Sequence, residues 1–257
     1  MLLFSDVDGT LLDDAGRYAV SRAEMELVSE RVRVVLASSQ TVGELSGVQR
    51  ALALEGAVVA ENGAVVAWGW REGMASLGAR ATIDGREWCV LALGTPAAIV
   101  REEVRRAAMR CRIAYVDQRD VAPQIDRRFS VLIRPADGSS ATSLAPLVRE
   151  LRGHGLAVTA GDRWTAVTRN ADKGIGARAW LATRTRLGEP SAIVAAVGDG
   201  ENDEPLLLAA EHRFAIRRDD GTWHPALRAL PDVECVPTPG IAGWREVWRQ
   251  LSALQEV

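Results

Sequence analysis

Met1-Leu2-Leu3-Phe4-Ser5-Asp6-Val7-Asp8-Gly9-Thr10 opens the chain, and its reading decides the fold. An apolar run without alternation is the pattern of a strand buried on both faces. It stops at two carboxylates two residues apart, followed by a Gly that favours a turn. Charges at the end of a buried strand are costly unless something positive lies between them. A second apolar run, Ile193 to Val197, leads in the same way into Gly198-Asp199-Gly200-Glu201-Asn202-Asp203. In open α/β sheets, ligands gather outside the carboxyl ends of the strands. The two acidic clusters therefore point to one divalent-metal and phosphate site.

Between these runs the chain alternates strand and helix signals. Ser21-Arg-Ala-Glu24 and Thr41-Val-Gly-Glu44 are capping boxes, and each predicts a helix start. Val32–Ser38 and Ala57–Ala60 read as further buried strands, and Asn62-Gly63 as a turn into a hairpin with Ala64–Trp68. This is the order of an α/β sheet. From about residue 84 the pattern changes. Glu87–Leu93, Phe129–Ile133, Leu156–Thr159 and Trp164–Thr168 read as strands, the last two as a hairpin around Gly161-Asp162. Pro96–Cys111 and Ala141–Arg152 read as helices. We expect residues 84–168 to form an inserted α+β unit with an open antiparallel sheet. Residues 1–83 and 169–257 then form the core, completed by a helix from Lys173, strands at Ala192–Val197 and His212–Ile216, a helix at Glu204–Ala210, and a terminal helix at Ile241–Leu254.

Composition restricts the function classes. The 257 residues carry 31 basic against 34 acidic side chains, a net charge of −3, with no long basic run. Nucleic-acid binding has no electrostatic support in that balance. Three scattered cysteines and three scattered histidines lack metal-ligand spacing, which argues for reduced thiols, a cytoplasmic location and no zinc. No apolar stretch is long enough to span a bilayer, and Asp6 interrupts the apolar start that a signal peptide needs. The eight tryptophans read as core filler.

The chemistry follows from the residue types. Phosphoryl transfer needs positioning and neutralisation of phosphate oxygens more than covalent help. Asp6 suits the nucleophile and Asp8 the general acid–base. Asp6 and Asp199 offer the hard oxygens that Mg²⁺ prefers. Lys173, at a helix start, supplies a compact positive charge, and Ser38 a hydroxyl for a phosphate oxygen. Asp-x-Asp-Gly-Thr, a strand-terminal Ser, a helix-opening Lys and Gly-Asp-Gly-x-Asn-Asp stand here in the order of the haloacid dehalogenase superfamily, which the chain resembles from Asp6 to Asp203. The resemblance implies a Rossmannoid α/β core with an inserted C2-type cap, a Mg²⁺ cofactor and an aspartyl-phosphate intermediate. It also places the Asp8 carbonyl on the metal, makes Asp203 a metal or metal-water partner and Asn202 an orienting group, and implies a small phosphate ester as substrate; we expect a monomer or homodimer.

At finer grain, Ala37-Ser-Ser-Gln-Thr41, Glu61-Asn62-Gly63, Arg127-Arg-Phe-Ser130 and Gly161-Asp-Arg-Trp164 are similar to mannosyl-3-phosphoglycerate phosphatases. Gln40 and Ala166 depart from the Lys and His of that group, and Cof-like and sucrose-phosphatase-like enzymes also fit. The resemblance makes Ser39, Gln40, Glu61, Asn62, Arg128 and Arg163 candidate substrate contacts. Two other readings stand beside the phosphatase: a phosphosugar mutase, and a receiver-like module that accepts a phosphoryl group without turnover. Asp8 argues against the receiver, because a long-lived phosphoaspartate should lack an adjacent acid–base group.

Overall fold

The computed structural model describes residues 1–161 and 163–253. Two sheets organise them. The larger contains β1 (Leu2–Ser5), β2 (Arg33–Ala37), β3 (Val58–Ala60), β4 (Val65–Gly69), β5 (Ala79–Ile83), β6 (Arg86–Ala92), β11 (Val194–Gly198), β12 (His212–Arg217) and β13 (Val233–Pro239), in the order β13-β12-β11-β1-β2-β3-β4-β6-β5. From β13 to β3 the pairing is parallel, and β4, β6 and β5 extend the sheet antiparallel. The smaller sheet is antiparallel and runs β7 (Tyr115–Asp117), β8 (Val131–Pro135), β10 (Thr165–Thr168), β9 (Ala157–Ala160).

The helices explain the burial of both faces. On one face of the large sheet α1 (Arg22–Arg31), α2 (Val42–Leu52) and α9 (Gly240–Ala253) cover Leu3, Leu36, Val197 and Trp88. On the other, α6 (Lys173–Arg186), α7 (Glu204–Leu208) and α8 (Pro225–Arg228) cover Leu2, Phe4, Val35 and Ala196. Both expected capping boxes form, Ser21 with Glu24 and Thr41 with Glu44. In the small sheet α3 (Ala97–Cys111) and α5 (Ala145–Gly153) close a separate core over Val131, Ile133, Val158 and Val167, and the single-turn α4 (Gln118–Val121) follows β7. The expected turn at Gly161-Asp162 and the end of the last helix at Leu254 reach outside the described residues.

Strand β6 belongs to the large sheet. Trp88 packs into the core on one face and Cys89 into the core on the other, so this strand is sandwiched like its neighbours. The crossings to and from the small sheet lie side by side: the Thr95 amide donates to the Arg169 carbonyl at 3.0 Å. We propose that the boundaries of the inserted unit fall at these crossings. Among the described residues no helix is long and apolar enough to cross a membrane.

The terminal helix secures the first strand. Trp244 is fully buried; its indole N–H donates to Ser5 Oγ at 2.9 Å, and that hydroxyl donates to the Asp6 carbonyl at 2.7 Å. Trp244→Ala should lower unfolding free energy by about 3–5 kcal/mol, the cost of emptying an aromatic core position. Urea unfolding checks this, and a loss below about 1 kcal/mol would contradict the central placement of this side chain.

Candidate active site

The register of two neighbouring parallel strands brings the acidic clusters together. Ser5 of β1 lies opposite Val197 of β11, so Asp6 and the loop that follows Gly198 leave the sheet at the same edge. The Asp6 amide continues the ladder by donating to the Val197 carbonyl at 3.0 Å. Asp6, Asp199 and Asp203 each offer a carboxylate oxygen within 4.8 Å of the others.

Lys173 binds the group from a third direction. Asp172 caps α6 by accepting from the Ile175 amide at 2.7 Å, and this fixes Lys173 as the first helical residue. Its Nζ donates to Asp6 Oδ1 and to Asp203 Oδ1, each at 2.6 Å, and its side chain is 0% exposed. Asp203 Oδ2 accepts from the amides of Asp199 at 3.1 Å and Gly200 at 2.9 Å. Thus Asp203 holds the loop and the ammonium together. Thr10 Oγ1 donates to Asp199 Oδ1 at 3.0 Å, and Arg218 Nε donates to the Asp199 carbonyl at 3.2 Å. Gly9, at φ +79°, permits this approach: a Cβ there would lie 2.9 Å from Asp199 Oδ2.

Three carboxylates face one ammonium in a desolvated site, and the electrostatics follow. Burial, and then the charge of Asp203, push Asp6 well above the usual carboxylate range, against the pull of Lys173. Burial and Asp203 raise Asp199 to about 6, opposed by the Thr10 hydroxyl and Lys173. Burial pulls Lys173 down, but Asp203 and Asp6 reverse this, so its net shift is upward and it stays charged. An excess of hard, negatively charged oxygens beside a fixed cation fits a divalent metal.

Asp8 lies at the open rim. Desolvation raises its pKa, and the Gln40 amide opposes the rise by donating to both carboxylate oxygens at 3.0 and 3.2 Å. Ser38 is buried; its Oγ accepts from the Gln40 amide at 3.1 Å and lies 3.4 Å from Asp8 Oδ2. Asn62 Oδ1 accepts from Asn202 Nδ2 at 3.2 Å. Asp6, Lys173, Asp199 and Asp203 thus form a buried cluster, and Asp8, Ser38, Gln40, Asn62 and Asn202 a second hydrogen-bonded group at the rim, tied to the first through the chain at Asp6–Asp8 and Asn202–Asp203; Ser39 joins through its carbonyl, which accepts from Arg127 Nη1 at 2.7 Å.

The other candidates make different contacts. Glu61 spends both oxygens on backbone amides of the inserted unit. The Arg128 guanidinium donates to Asp126, and Arg163 is exposed on the hairpin between β9 and β10. Their neighbour Arg127, buried and reaching the Ser39 carbonyl, is the arginine of this segment that meets the rim. Sequence reasoning missed Arg218, Thr10 as a partner of Asp199, and Arg152, whose Nη2 lies 3.3 Å from Glu201 across the gap between the two sheets. Only Thr10 carried a sequence signal, its place after Gly9. A cavity of about 270 Å³ opens beside Lys173, lined by Asn62, Asn202, Thr159, Thr168 and Arg152.

The raised Asp199 has a consequence for the metal-free protein. Its folded pKa of about 6 lies above the ordinary 3.8, so the folded state holds the extra proton and stability falls as pH rises through that window. Asn cannot titrate. Asp199→Asn should therefore gain stability over wild type by about 1–3 kcal/mol between pH 4.5 and pH 7.5. Urea unfolding in EDTA at the two pH values measures it, and an equal difference at both would contradict the assignment.

Known proteins are similar to this chain in sequence and in fold. Residues 3–75 match the family model of haloacid dehalogenase-like hydrolases. The chain is 24% identical over 268 residues to a glucosyl-3-phosphoglycerate/mannosyl-3-phosphoglycerate phosphatase of Methanococcoides burtonii, covering 97% of this chain and 96% of that protein. It is 29% identical over 222 residues to a phosphoglycolate phosphatase of Methanoculleus marisnigri, covering 84% and 83%. The sucrose-phosphatase of Synechocystis has the same fold, with a TM-score of 0.62 at 14% identity over 98% of both chains. The first acidic cluster lies inside the segment that the family model matches, and the similarity to the Methanococcoides phosphatase runs nearly end to end.

Proposed function

We propose that this phosphoric monoester hydrolase acts on a small phosphorylated sugar or sugar acid through an aspartyl-phosphate on Asp6. The observation that carries the reading is the Lys173 ammonium held 2.6 Å from Asp6 Oδ1, with Asp8 two residues beyond at the open rim. Lys173 engages one oxygen of Asp6 and leaves Oδ2 for attack on phosphorus. The bond from phosphorus to the ester oxygen breaks as Asp8 gives that oxygen its proton. Water then attacks the phosphoryl group, Asp8 takes the water's proton, and phosphate leaves with Asp6 regenerated as a carboxylate.

Mg²⁺ fits this site. Asp6, Asp199 and the Asp8 carbonyl would hold it, and when bound it would supply neutralising charge to the phosphate oxygens. Asp203, whose oxygens already accept from Lys173, Asp199 and Gly200, acts by alignment and charge. Ser38 and the loop amides after Asp6 suit the phosphate oxygens. The cavity beside Lys173, lined by both polar and apolar side chains, is of a size for a small organic leaving group. Two relatives are named for phosphate esters of hydroxy acids, a glycosylated phosphoglycerate and phosphoglycolate. These make glycosyl-3-phosphoglycerates the first substrates to test, with phosphoglycolate beside them.

Phosphate release from a panel of such esters with Mg²⁺ tests the reading. Wild type should turn over at least one of them, and EDTA should abolish turnover. Asp6→Asn should lose at least about a thousandfold in kcat, as expected when a covalent nucleophile is removed, with an unchanged circular dichroism spectrum. Activity that survives exhaustive chelation, or an Asp6→Asn protein near wild-type rate, would overturn the metal or the nucleophile. Stoichiometric labelling without turnover would favour the phospho-accepting module.

A further inference from the structure

Glu61 is buried, charged and at the rim, yet phosphoryl transfer does not use it. Its Oε1 accepts from the Arg128 amide at 3.1 Å, and its Oε2 from the Phe129 amide at 2.9 Å and from the amide and hydroxyl of Ser130 at 2.7 Å each. Three successive amides of the inserted unit therefore close on one core carboxylate. The backbone that presents it is unusual. Glu61, Asn62 and Gly63 have φ of +50°, +53° and +84°, a left-handed run that side chains other than glycine rarely adopt. Such strain persists where the surroundings over-determine it.

The surroundings are the catalytic segments. The Glu61 amide donates to the Gln40 carbonyl at 2.8 Å and the Asn62 amide to the Ser38 carbonyl at 2.9 Å. Asn62 binds Asn202. Gly63 packs so closely on α6 that a Cβ would lie 1.8 Å from the Asp172 carbonyl oxygen. Beside this turn, Arg127 crosses from the inserted unit to the Ser39 carbonyl at 2.7 Å. A path of direct contacts thus runs from Arg128–Ser130 through Glu61 and Gln40 to Asp8.

We propose that Glu61 is a positioning residue that fastens the inserted unit to the rim, so that seating of Arg128–Ser130 and alignment of the Ser38–Gln40 loop are one event. The carboxylate is suited to this because it accepts all four hydrogen bonds. A glutamine would place an NH₂ among donors and lose at least one of them.

Amide hydrogen exchange on the whole protein tests the coupling without any substrate, so its outcome is independent of the proposed ester. Glu61→Gln should speed exchange about tenfold or more both at Arg128–Ser130 and at residues 38–41. The β8–β10 ladder should exchange at the wild-type rate. With p-nitrophenyl phosphate and Mg²⁺, kcat should fall severalfold with little change in KM, and Glu61→Asp should recover part of it. Faster exchange at Arg128–Ser130 alone, with residues 38–41 and kcat at wild-type values, would reduce Glu61 to a local fastener and overturn the proposal. Should Glu61→Gln not fold, Ser130→Ala removes one donor from the other side. It should loosen both segments together to a smaller extent, and loosening of one alone would again overturn the proposal.

Discussion

The ammonium of Lys173, in contact with Asp6 and Asp203 and out of reach of water, is the constraint on which the rest depends. Burying charge is expensive, and a buried ion pair seldom improves on apolar packing as a source of stability. This one lies where three carboxylates meet, and on the proposed reading its value is chemical. It keeps two acidic loops and one helix start in fixed relation. The sheet supplies that relation cheaply, because β1 and β11 are direct neighbours in parallel register. Asp203 completes it by joining the ammonium to the amides of its own loop.

Around that fixed centre the open rim carries the softer parts. Asp8 is held by a neutral amide from Gln40, which steadies the carboxylate without adding charge. The inserted unit meets the rim at the Glu61 turn, through Arg127, and across the gap through Arg152 and Glu201. The first two contacts lie close to the chain crossings at Thr95 and Arg169, where the Ala97 amide also donates to the Arg128 carbonyl at 2.7 Å. The third lies at the cavity beside Lys173. Anchoring is thus concentrated at the base of the unit, and among the described residues the side that faces the cavity carries one exposed ion pair, which is a weak tie.

The sequence made the catalytic half legible because its signals are local. Unbroken apolar runs ending in Asp marked β1 and β11, and the capping boxes marked α1 and α2 at the residues where the structure has them. Signals that depend on tertiary context were lost. Strand β13 contains Pro237 and Pro239, which speak against a strand, yet it forms at the sheet edge where a missing N–H is tolerated. Strand β5, Ala79-Arg-Ala-Thr-Ile83, is an exposed edge with no apolar run, and β7 has only three residues. Arg127 and Arg128 cannot be told apart by composition; packing alone turns the first inward and the second toward Asp126. Glu61-Asn62-Gly63 was readable as a turn, but its partners come from remote segments that spacing does not reveal.

The most direct test of the central claim is to quench the Mg²⁺-loaded protein in acid during turnover of p-nitrophenyl phosphate and to map any phosphoryl group by peptide mass spectrometry. The account predicts an acid-stable, hydroxylamine-labile phosphoryl group on Asp6. A phosphoryl group on another side chain would contradict it.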